Sequence, residues 1–196
     1  MNASALPKVR MTVAQFLEWS QRQPDDRYEL VEGRIVAMTR DSVRHNQIEA
    51  AAWRAFDDSV RASRLKCIVL VDGVGVTINQ RTLRIPDVLV HCGADPAPDA
   101  LTVDNPVIVV EVVSPSSERD DIETKLIDYF AVASIRHYLI VVSEKRVVLH
   151  HERNDRGTID TRIMHEGDIT LDPPGITVTV AALLGPVSRA ATGEAT

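Results

Sequence analysis

Glu111 is a single carboxylate inside the apolar run Val107-Ile108-Val109-Val110-Glu111-Val112-Val113. A continuous Val/Ile run of this kind reads as a strand buried on both faces, where an uncompensated ionised acid is strongly unfavourable. A second acid stands on a similar run, Ile85-Pro86-Asp87-Val88-Leu89-Val90-His91. Two buried acids that converge are most easily stabilised by a divalent cation. If the two runs pair antiparallel in a symmetric register, Asp87 faces Glu111 and His91 faces Val107. Directly opposed residues point to one side with Cβ atoms about 4.5–5.5 Å apart, so both carboxylates would reach one ion. The connection from Cys92 to Pro106 is long for a hairpin and leaves room for an offset.

Other groups could join this pair. Lys125 falls about two turns into the helix expected after Glu111, and long side chains lean toward a helix N-terminus, so its ammonium can return toward the acid. The plainer alternative is an exposed neighbour pair with Asp121 or Tyr129 at i,i+4 spacing. His45 stands near the start of the longest helix with Glu49 one turn on, either beside the acids or on a solvated flank. Glu29 could point to the same cleft, although an exposed strand carboxylate is the preferred reading. The rings of His150 and His151 fall on opposite strand faces and do not share a metal. Gly73-Val74-Gly75 lacks the third glycine and following helix of a nucleotide loop. Ser114 and Ser116 flank a proline without a nearby histidine, which argues against a serine nucleophile.

The elements that must position these groups follow from periodicity and punctuation. Residues 12–22 form a short amphipathic helix capped by Thr12 and ended by Pro24. Tyr28 to Met38 reads as a hairpin about Glu32-Gly33. Residues 42–62 carry Ile48, Ala51, Ala52, Ala55 and Phe56 and form the longest helix. Cys67 to Val71 and Val76 to Ile78 are strands, followed by strands 85–91 and 107–113, helix 118–131 and strand 138–142. Pro86 suggests a bulge or edge position. Ser117 is the expected cap of helix 118–131, with Asp120 three residues on, and that helix buries Ile122, Leu126, Tyr129 and Ala133. A strand, helix, strand succession requires a parallel crossover, and ligands favour the carboxyl edge of such strands. Val147 to His151 and Thr158 to Met164 read as antiparallel strands, and Asp172-Pro-Pro-Gly as a turn before Ile176 to Val180. One domain is expected over residues 11–185, with residues 1–10 and 186–196 disordered.

Bulk properties narrow the class. The 196 residues suffice for a sizeable core, and no apolar stretch approaches the roughly 18 residues of a membrane span. No secretory signal opens the chain, so a cytoplasmic protein is expected, with Cys67 and Cys92 as reduced thiols. The net charge of −6 argues against a protein that coats nucleic acid. Yet residues 1–84 hold 13 basic against 10 acidic residues. Arg40, Arg44, Arg54, Arg61, Arg64, Lys66, Arg81 and Arg84 could form a phosphate-attracting face, although a solvated surface is preferred on charge alone.

Pro86-Asp87, then Glu111-Val112-Val113, then a lysine in the next helix resembles the PD-(D/E)XK nuclease superfamily, in the variant whose lysine has moved from strand to helix. Val113 stands where the parent motif has its lysine, so catalysis there depends on Lys125. More closely, the chain resembles the Uma-two family of restriction-endonuclease-like proteins. The likeness runs from about Thr12 to Leu184 through Tyr28-Glu29-Leu30 with Gly33, His45, Pro86-Asp87, the string from Glu111 to Ser117, Lys125, Tyr129 and Tyr138. Glu32 replaces a usual aspartate, and His137 and Val142 replace the usual acids flanking the last core strand. The resemblance implies an α/β restriction-endonuclease-like fold, a mixed central sheet flanked by helices, with an N-terminal helix and hairpin and C-terminal antiparallel strands. It implies Mg²⁺ or Mn²⁺ held by Asp87, Glu111 and the Val112 backbone carbonyl, with Lys125 catalytic and His45, Glu29 and Glu49 supporting. The expected activity is DNA endonuclease, with a homodimer as the default assembly. The alternatives are a nuclease-like binding module without catalysis and a hydrolase of small phosphoesters.

Overall fold

The two acid-bearing runs become neighbours in the computed structural model, which describes residues 9–23, 27–113 and 119–185. Ahead of them, α1 (Val13–Ser20) starts at a reciprocal cap between Thr12 and Gln15. The hairpin β1 (Tyr28–Val31) and β2 (Arg34–Ala37) turns on Glu32 and Gly33. Both turn residues have positive φ, 49° and 81°, as a two-residue hairpin loop requires. A side chain at Gly33 would also press on the Met11 carbonyl 3.0 Å away. Helix α2 (Val43–Ser63) begins at Ser42, whose hydroxyl accepts from the His45 amide. Ile48, Ala52, Phe56 and Val60 form its buried stripe, the four-residue spacing of one helix face.

Strands β3 (Cys67–Val71), β4 (Gly75–Asn79), β5 (Thr82–Arg84), β6 (Val88–Cys92), β7 (Thr102–Val103) and β8 (Pro106–Val113) follow. Then come α3 (Arg119–Ala131), β9 (His137–Val142), β10 (Val147–Arg153), β11 (Ile159–Met164), β12 (Asp168–Leu171), β13 (Ile176–Thr179) and α4 (Val180–Leu184). The central sheet has the order β11-β10-β9-β8-β6-β3, and a second has the order β2-β1-β5-β4-β7. Within the central sheet β8 and β9 are parallel, joined by α3, and the other neighbours are antiparallel. This is a mixed α/β fold with mixed sheets flanked by helices.

Strand β8 is apolar apart from Glu111 because both its faces are covered. Ile108, Val110 and Val112 pack with Val88, Val90, Leu139 and the α2 stripe, and Val109 and Val113 pack with Leu89, Ile140 and Tyr129. Each fully buried Val or Ile contributes about 1.5–3 kcal/mol relative to exposure. A smaller cluster of Phe16, Leu30, Ile35 and Leu83 joins α1 to the second sheet.

The β6/β8 register is the symmetric one at the acid end: Val88 faces Val110 and Val90 faces Ile108. It slips by one residue at the far end, where His91 faces Pro106 rather than Val107. Residues 85–87 precede β6 instead of belonging to it, since Pro86 has no amide for the ladder. Ala133 lies beyond α3 and is exposed, not part of its buried face. Cys67 and Cys92 are not free thiols: direct partners across β3 and β6, with Cα atoms 4.0 Å apart, they form a disulfide. Strand β3 is an edge of the central sheet, and the Trp53 indole of α2 donates to its Val69 carbonyl at 3.2 Å. Pro24, Ser114, Ser116 and Ser117, and the termini 1–8 and 186–196, lie outside the described residues.

Candidate active site

Where β8 ends and β6 begins, a cavity of about 660 Å³ opens, and Glu29, His45, Asp87, Glu111, Val112 and Lys125 all line it. Asp87 sits one residue before β6 because the ladder stops there, and its carboxylate takes over the next bond. The Val112 amide donates to Asp87 Oδ2 at 2.5 Å. The other oxygen, Oδ1, lies 3.2 Å from His45 Nε2. The capped first turn of α2 therefore aims His45 at the acid, and the reading of His45 as a flank residue is set aside.

Glu111 is 6% exposed. Lys125 Nζ donates to its Oε2 at 2.8 Å and the Tyr129 hydroxyl to its Oε1 at 2.6 Å. These donors are four residues apart on α3, so one helix face delivers both. Lys125 is 9% exposed, which decides against a solvent-facing neighbour pair. Burial pushes the Glu111 carboxyl up, Lys125 pulls it back, and Asp87 and Glu29 push it further, to about 7. The Tyr129 phenol is raised well above its ordinary value by burial and then by the Glu111 charge, which keeps it a donor.

Glu29 is buried, not an exposed strand carboxylate. Its two oxygens accept from Arg84 Nη1 at 2.8 Å and from the Ile85 amide at 3.0 Å, with Lys125 Nζ 3.9 Å away. Arg84 also bonds Asp128 of α3 at 2.8 Å. It is thereby withdrawn from the proposed basic face, while Arg40, Arg44, Arg54, Arg61, Arg64, Lys66 and Arg81 are exposed.

Sequence reasoning missed Asp41, whose Oδ1 lies 3.5 Å from His45 Nε2. Asp41, His45 and Glu49 bring donor atoms within 4.8 Å of one another, and their four-residue spacing was the available signal. Burial disfavours charge on His45, but its hydrogen bond to Asp87 and the charges of Asp87, Asp41 and Glu49 outweigh it and raise its pKa. Glu49 is raised to about 7 by burial, then by Asp87 and Asp72. At the rim, Arg27 bridges Asp41 and Asp72.

The arrangement joins two buried acids, a lysine, a phenol and an imidazole in one cleft, a set suited to holding a cation and handling a polar anion beside it. Three comparisons show what the chain is similar to. A family model, Uma2, described as "Putative restriction endonuclease", matches residues 13–183. An uncharacterised protein of Synechocystis sp. is 30% identical over 166 residues, covering 80% of this chain and 81% of that protein. A crystal structure from Anabaena variabilis, described as a "putative nuclease belonging to DUF820", superposes with a TM-score of 0.70 at 14% identity, over 89% of this chain and 97% of that one.

Proposed function

Because the chain belongs to the Uma2 family, we propose that it is a metal-dependent endonuclease that hydrolyses phosphodiester bonds in DNA, with Asp87, Glu111 and Lys125 as its catalytic residues. The observation that carries this reading is the pair of buried acids with Lys125 2.8 Å from one of them. The donor set fits a divalent ion. The carboxylates of Glu29, Glu111 and Asp128 pair with Arg84 and Lys125, while Asp87 meets the Val112 amide and the His45 ring. The charges of Asp87 and Glu29 add to burial in raising the Glu111 carboxyl, and a bound cation would offset them. Asp87 and Glu111, with the Val112 carbonyl, would hold Mg²⁺ or Mn²⁺. Such an ion, when bound, polarises the phosphodiester and acidifies a bound water.

The chain's own groups divide the remaining work. Lys125 would direct Nζ to the attacking water or to a phosphoryl oxygen as charge develops. Tyr129 fixes the rotamer of Glu111 through Oε1, and His45 does the same for Asp87 through Oδ1. The β8 edge holds these groups on rigid elements, as pre-organisation requires.

A second reading, a nuclease-like binding module without catalysis, draws on the fact that both Glu111 oxygens already have protein donors. One assay separates the two. Purified wild type should nick supercoiled plasmid with Mg²⁺ or Mn²⁺ and not with chelator, and Asp87→Ala should not nick at all. Nicking that persists in Asp87→Ala, or wild type inert with either ion, would leave the binding module standing.

A further inference from the structure

The opposite face of the central sheet carries a second convergence of ligand-type side chains. His137 and Glu152 are direct partners across β9 and β10, and His150 faces Leu139. Residues two apart on a strand share a face, so these three emerge together on the side of Leu139, while Glu111 lies on the side of Ile140. Their donor atoms lie within 4.8 Å of one another. Both imidazoles are fully buried, and His137 Nδ1 is 3.0 Å from His150 Nε2. The outer nitrogen of His150, Nδ1, is buried without a hydrogen-bond partner, while the backbone of Asp172 and Pro173 lies against the His137 ring.

Two fully buried imidazoles and a carboxylate thus offer three ligand-type donors to one point on this face. We propose that His137, His150 and Glu152 bind one Zn²⁺ ion between β9 and β10. Two imidazoles and a carboxylate suit zinc, whereas Mg²⁺ takes oxygen ligands. Two nitrogens about 2.05 Å from a tetrahedral ion stand about 3.3 Å apart, a few tenths of an ångström from the separation already present. On binding, the two facing nitrogens become ligands and one ring changes tautomer, so that both outer nitrogens carry N–H and no proton leaves the pair. The Pro173 and Asp172 carbonyls act on the His137 ring, ready to accept that N–H as backbone carbonyls do for zinc-bound histidines. Glu152 is partly exposed and paired with Arg162, and it supplies the negative ligand and the route from solvent. The site is independent of the nuclease reading.

The test uses the full chain carrying Asp87→Ala and His45→Ala, which removes a donor from each ligand set of the acid cleft, titrated with Co²⁺ as a spectroscopic substitute and then with Zn²⁺. One equivalent of Co²⁺ should give visible ligand-field absorption that Zn²⁺ abolishes, and Zn²⁺ should raise Tm. Adding Glu152→Gln should weaken Co²⁺ binding by at least about tenfold, and adding His150→Gln should remove it. Glu152 is partly exposed, so its variant keeps the test decisive if the buried histidine variant does not fold. Absence of the absorption, or absorption unchanged in Glu152→Gln, overturns the proposal.

Discussion

Lys125 pairs with Glu111 and, in the proposed reaction, would also face the reacting phosphate. Lys125→Met keeps the aliphatic stem and removes the charge, which separates these contributions. Nicking should fall by about 100-fold or more, while Mn²⁺ affinity, measured calorimetrically, should hold or tighten because a cation has left the cleft. Weaker Mn²⁺ binding would show that Lys125 instead organises the acids. Glu111 was legible from sequence because a lone carboxylate in an apolar strand needs compensation, whereas helix spacing left Lys125 evenly between the cleft and an exposed neighbour pair, and the family resemblance favoured the cleft. Glu29 was misread as exposed, since a four-residue strand does not reveal which face is covered. Its partner Arg84 lies 55 positions along the chain, and nothing local links them.

At the scale of elements, the two long helices and the apolar strands were readable because periodicity and length agree. The short strands β5, β7 and β12 and the helix α4 were not, since runs of two to five residues carry no period and form only against neighbours already in place. The disulfide was missed for a related reason: two cysteines 25 residues apart meet only through a strand register that sequence leaves open. Closing a loop of that size by a covalent link is worth about 3 kcal/mol through the unfolded chain. Reductant should therefore lower stability to urea by about that amount, and Cys67→Ser should show the lower stability with or without reductant. Equal stability of oxidised and reduced wild type would mean that the link adds nothing beyond strand pairing.

Across the whole molecule, burial of acids ties stability to pH. Glu111 and Glu49 have folded-state pKa values of about 7 against an ordinary 4.5. The folded chain thus holds protons that the unfolded chain releases, and their contribution to stability is lost as pH rises from about 4.5 through about 7. His150 acts in the opposite sense, because burial lowers it from 6.5 to about 3 and its contribution fades as pH falls through that interval. In chelator at about pH 8, Glu111→Gln should be more stable than wild type in thermal unfolding, and the gain should vanish near about pH 4. A less stable Glu111→Gln at the higher pH would mean that attraction to Lys125 outweighs the burial cost. The central sheet also limits how two copies could associate. Its β3 margin is occupied by the Trp53 indole, and its other margin, β11, presents Asp160 and Arg162 to solvent, charges that discourage strand addition. A symmetric pair reaching both strands of a duplex is therefore not expected to form by extending the central sheet across the two protomers.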